Sequence, residues 1–109
     1  MTDNPDVFYL REKIANAIEE PTDGQIALAE ISIDFLLEKA EKSGQRLENE
    51  GADVSDINDL KYALGRIRQS ITQPNAASID EKNLILYAMF YLLDRIAVTY
   101  GGNWLTAST

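Results

Sequence analysis

Apolar residues recur at alternating intervals of three and four along this chain, the spacing that places side chains on one face of an α-helix. Val7, Leu10, Ile14 and Ile18 make a first stripe, and Ile26, Ala29, Ile33, Leu36 and Ala40 a second. Ile57, Leu60, Leu64, Ile67 and Ile71 make a third. Leu28, Ile31 and Phe35 lie beside the second stripe, so that helix is expected to touch two neighbours. The stretch 79–99 is apolar around most of its circumference, with Asp80, Asn83, Tyr87, Tyr91 and Asp94 as a half-polar strip. A helix this apolar is either the centre of the core or the seam of an oligomer.

Boundary signals fit the same four segments. Asn4 is a candidate N-cap with Pro5 at the first helical position, and Pro21 stops the first helix. Thr22 and Gln25, then Ser78 and Glu81, are capping boxes opening the second and fourth helices. Gly44 reads as the stop of the second helix, with 45–54 as a frayed turn and loop. The third helix begins near Ser55 or Asp56, Gln73-Pro74-Asn75 is a turn, and Gly101-Gly102 ends the fourth helix. The expected helices are therefore about 5–19, 23–43, 56–71 and 79–99. Short connections make this an all-α, antiparallel four-helix bundle, a single domain over 1–109 with 1–3 and 106–109 frayed. Trp104 and Leu105 form a hydrophobic hook able to fold back on the bundle.

Composition narrows the chemistry. The chain has neither Cys nor His, which removes disulfides, thiol nucleophiles, imidazole bases and the usual transition-metal ligands. No cofactor is expected. The start is acidic without a following long apolar run, and the longest such run, Leu84 to Leu93, is too short to cross a bilayer. A cytoplasmic, non-membrane protein is the expectation.

The formal charge is −8 and is unevenly placed. Residues 1–59 hold 15 acidic and 5 basic side chains, whereas residues 60–109 hold 3 and 5. Glu19, Glu20, Asp23, Glu30 and Asp34 form one acidic run, and Glu48, Glu50, Asp53, Asp56 and Asp59 another. Such runs disfavour direct binding to nucleic acid, steer a basic partner protein, or imitate a row of phosphates; the bland alternative is a solvated face. Lys61, Arg66 and Arg68 make a small basic patch suited to acids of a neighbouring helix or subunit.

Asp53, Asp56 and Asp59, and separately Glu38 and Glu41, have the i, i+3 spacing by which helical carboxylates hold Mg²⁺ or Mn²⁺. The same acids suit a helix N-terminus and an exposed face, so a carboxylate-only phosphohydrolase is a distant alternative and no metal site is assigned. Tyr87, Tyr91 and Trp104 are candidate interface aromatics. The sequence thus predicts a non-enzymatic acidic helical protein that binds a partner with a basic surface, as inhibitor, immunity factor, adaptor or regulator. A homodimer or higher oligomer built through helix 79–99 is the main alternative.

Overall fold

The computed structural model describes residues 7–73, 75, 77–101 and 104. Four α-helices follow one another: α1 Val7–Glu19, α2 Asp23–Asn49, α3 Ser55–Thr72 and α4 Ile79–Tyr100. Helix accounts for 85% of the described residues, and no strand occurs among them. Each helix packs on its neighbours in chain order, with α1 meeting α4 more sparingly to close the ring. The result is an all-α four-helix bundle.

The antiparallel sense is visible in the ion pairs. Along α2 the partners run from Asp34 to Glu41, while along α3 they run backwards from Arg68 to Lys61. Between α3 and α4, Asp56 near the start of one meets Arg95 near the end of the other. At about 1.5 Å per residue, the 27 residues of α2 span roughly 40 Å, matching the longest dimension of the molecule, 41 Å.

The stripes predicted for the first three helices are its interior. Leu10, Ile14 and Ile18 of α1 are buried, with Ala29, Ile33, Leu36 and Ala40 of α2 and all five positions of α3. The two neighbours expected of α2 are there, α1 and α3, but the arc Ala29, Ile33, Leu36, Ala40 and Leu47 meets them, and Leu28 and Ile31 remain exposed. From α4 only Leu86, Met89, Leu93 and Ile96 are buried. That helix is a corner of the bundle and not its centre, since an antiparallel ring of four gives every helix one inward face.

Both capping hydroxyls bond as expected, whereas the reciprocal half of the box is missing at Gln25, whose side-chain oxygen has no partner among the described residues. The Thr22 hydroxyl accepts from the Gln25 backbone N–H, and the Ser78 hydroxyl from that of Glu81, each at 3.2 Å. The third helix starts at Ser55 with Asp56 in its first turn, as expected, and its N-cap, Val54, makes no side-chain cap bond. Instead the Ser55 N–H and hydroxyl both donate to the Asp53 carboxylate, at 2.9 and 2.5 Å. The Asn4 cap, Pro5, Leu105 and the frayed ends lie outside the described residues.

The end of α2 also differs from expectation. The helix passes through Gly44 and continues to Asn49, taking in residues read as a frayed turn. Its stop is Gly51, at φ +83°, where a side chain would be strained. The Gly51 N–H donates to the Glu48 carbonyl and the Ala52 N–H to that of Leu47, both at 3.0 Å, a complete Schellman closure. Gly44 serves packing instead. A Cβ there would sit 3.3 Å from the Ile57 methyl of α3.

The last element completes the core. The described part of α1 is about half as long as α2, which leaves the C-terminal half of α2 uncovered on that side. Trp104, only 2% exposed, joins the core there, and the buried Ser43 hydroxyl of α2 donates to its carbonyl at 2.9 Å. Nearby, the Tyr100 hydroxyl donates to the Asp53 carbonyl, tying the end of α4 to the α2–α3 loop. Burial first, and then the Asp53 and Asp56 charges, hold the Tyr100 phenol above its ordinary value. A raised folded-state value favours the neutral form, so its contribution is complete below the unfolded-state value and is lost as pH rises through the folded one. Alkaline titration followed by circular dichroism is expected to show this loss in the wild type and a smaller one in Tyr100→Phe.

Candidate interaction surface

The acids of α2 are arranged by its period. Asp23, Glu30, Asp34, Glu41 and Glu48 follow one another at intervals of 7, 4, 7 and 7, and Glu38 lies beside them. Those intervals return to one face of a helix, so the row runs the full length of α2 along the edge facing α3. Sequence reasoning found most of its members but divided them between two runs and assigned Glu38 and Glu41 to a metal question. The signal that joins them is the uninterrupted helix through Gly44.

Part of this row is neutralised within the chain. Asp34 pairs with Arg68, Glu41 with Lys61 at 2.7 Å, and Glu38 with Lys42 at 3.0 Å. The Lys61 and Lys42 contacts hold the Glu41 and Glu38 carboxyls below their usual range. The basic patch of α3 is therefore largely engaged by its neighbour; Arg66 lies 5.8 Å from the Tyr62 ring centroid.

Apart from Glu30, half-buried within the row, the remaining acids of the two runs collect at the two ends of α2, roughly 40 Å apart. Glu19, Glu20 and Asp23 are exposed around the α1–α2 turn, with no ion pair among the described residues. Glu19 closes a helix whose last turn holds no basic residue, so its charge opposes the macrodipole of α1 uncompensated. At the far end Glu48, Glu50 and Asp59 are exposed, Asp53 is tied to Ser55, and Asp56 accepts from Arg95 at 2.8 Å. The hydrogen bonds from the Ser55 side chain and backbone keep the Asp53 carboxyl below its usual range. The two acidic runs thus do not converge. They form two acidic ends joined by the partly paired row.

The spacings read as metal ligands lead elsewhere. Asp53, Asp56, Glu38 and Glu41 have the partners just named, and among the described residues no three carboxylates come together.

The aromatic candidates divide. Tyr87 and Tyr91 are 65% and 61% exposed on the outer face of α4, whereas Trp104 is in the core, as the fold-back reading expects and an exposed interface residue would not be. Leu84 and Val98, missed by sequence reasoning, share the face of Tyr87 and Tyr91 and are 68% and 86% exposed. Their intervals of 3, 4 and 7 mark them as one stripe. Beside it the Arg11 guanidinium of α1 lies 5.1 Å from the ring centroids of both Phe8 and Phe90 and pairs with Asp94. The Tyr87 and Phe90 rings meet edge to face at 6.5 Å. No described helix is long and apolar enough to cross a membrane.

Comparison with protein-family models, curated proteins and solved structures finds no match for this chain.

Proposed function

We propose that this is a small acidic helical binding protein that docks on a basic surface of another protein and so inhibits or regulates it. The observation supporting this reading is the set of unpaired, exposed carboxylates at the α1–α2 turn, Glu19, Glu20 and Asp23. Glu19 and Glu20, retained where the α1 dipole disfavours them and without an ion pair among the described residues, are available to a partner's cations, and Asp23 in the first turn of α2 adds a third charge. The row along α2 extends the same potential along one side of the molecule. Mimicry of nucleic acid is the sharper form of the proposal. Partner capture at low and then high salt checks it. Wild type is expected to retain a basic protein released by salt, and the Glu19→Lys/Glu20→Lys/Asp23→Lys triple variant is expected to lose it while keeping its helical circular dichroism. Retention by the triple variant would sink the idea.

A second reading, self-assembly through α4, is compatible with the first and has its own support. Residues 83–93 contain no charged side chain, yet Leu84, Tyr87 and Tyr91 among them face outward. A large exposed apolar stripe on a soluble helix is characteristic of an interface.

A further inference from the structure

Resting on that second reading, we infer that α4 packs antiparallel against α4 of a second copy of this chain, about a two-fold axis through Tyr91. A symmetric dimer must present a surface that complements itself, and the outer face of α4 does so in detail. Seven residues before Tyr91 stands Leu84, and seven after it Val98. Four before it stands Tyr87, and four after it Arg95. Antiparallel packing about Tyr91 therefore sets Leu84 on the partner's Val98 and the Tyr87 ring on the partner's Arg95, at both ends of the interface. A guanidinium over an aromatic face is attractive. Arg95 is already held beside the axis, donating to the Tyr91 hydroxyl at 3.2 Å and to Asp56 at 2.8 Å.

Charge permits a second copy as the occupant, and the self-complementary spacing about Tyr91 selects it. Asp94 and Arg95, the charged residues in the middle of the face, are each paired within the chain. Residues 60–109 carry 3 acidic against 5 basic side chains, so two chains of net charge −8 can meet through this half while their acidic halves stay apart. The area is adequate. An aromatic side chain buries about 150–250 Å², so Tyr87 and Tyr91, each about two-thirds exposed, give with Leu84 and Val98 an apolar patch on the order of 450 Å². That is more than half of the roughly 800 Å² each partner of a standard interface contributes. The dimer leaves both acidic ends of each copy outward.

Light scattering and sedimentation across micromolar concentrations test the assembly. Wild type is expected at twice the chain mass. Tyr91→Lys, which sets two ammonium groups on the axis, is expected at the single-chain mass with unchanged circular dichroism, because Tyr91 supports none of the core. The chain has no cysteine, so single-cysteine variants read the register. Tyr91→Cys is expected to form a disulfide dimer on mild oxidation, as is an equal mixture of Leu84→Cys and Val98→Cys. Leu84→Cys alone, about 21 Å from its own copy in this register, is expected to stay unlinked. A wild type of single-chain mass at every concentration overturns self-assembly altogether. A wild-type dimer in which Tyr91→Cys fails to link, or Leu84→Cys links to itself, overturns the antiparallel two-fold and leaves self-assembly standing.

Discussion

Trp104→Ala is expected to destabilise the fold by about 3–5 kcal/mol, the range for removing a large aromatic from a packed core. A domain of this size is stable by only about 5–15 kcal/mol, so the loss is a large fraction of the whole. Three features place the effect at the upper end of what single substitutions do. The indole is 2% exposed, it lies over the half of α2 that α1 leaves uncovered, and its own carbonyl receives the Ser43 hydroxyl. Removing the ring opens a cavity and also frees the segment that satisfies a buried hydroxyl. Urea unfolding followed by circular dichroism measures the change, since Trp104 is the sole tryptophan and its fluorescence disappears with it. In the wild type that fluorescence is expected to be blue-shifted and to move red on unfolding. Ser43→Ala, which deletes the donor and leaves the carbonyl to water or to no partner, is expected to cost about 1–3 kcal/mol. A Trp104→Ala midpoint equal to wild type would place the indole outside the core.

Gly44→Leu is the second large effect, and propensity by itself predicts the opposite sign. Glycine inside a helix is about 1 kcal/mol worse than alanine, and leucine is a strong helix former, so an isolated α2 would gain. In the bundle the first added carbon meets the Ile57 methyl at 3.3 Å, and three further carbons would have to enter the space α3 occupies. Overpacking of a filled core costs typically 1–3 kcal/mol, and the two helices must separate along a seam that also carries the Asp34–Arg68 and Glu41–Lys61 pairs. The expected net result is a loss of about 1–2 kcal/mol. Pairing it with Ile57→Ala should recover part of that loss. The recovery, read from a double-mutant cycle, reports the contact directly. If Gly44→Leu were stabilising, the close approach of α2 and α3 would be wrong.

Gly44 also shows where the reading of the sequence and the fold part company. In the sequence a glycine after Lys42-Ser43 and before a polar stretch has the local signature of a helix stop. Nothing local distinguishes it from Gly51, seven residues later, which is the actual stop. The difference is visible only in the fold: Gly51 takes the positive φ that ends the helix, whereas Gly44 stays helical and packs against Ile57, thirteen residues away, where a Cβ would be tight. The polar residues 45–49 then remain helical although they contribute few core contacts, Leu47 being the exception. The continuation had a consequence for function. It merged two acidic runs into one row on α2 and at the same time carried their ends some 40 Å apart.

The sequence by itself determined the four helices, the inward faces of the first three and the two capping hydroxyls, because period, capping and proline act over a single turn of chain. It also determined the charge asymmetry between the two halves. The tertiary structure alone decided which charges are spent inside the chain: Asp34, Glu41 and Asp56 meet cations on other helices, while Glu19, Glu20 and Asp23 meet none among the described residues. It also decided that Trp104 turns inward and that Leu84, Tyr87, Tyr91 and Val98 turn outward. A nearly all-apolar helix has no preferred inward face of its own. Its orientation follows from the sides its neighbours cover, and in a ring of four antiparallel helices they cover only one.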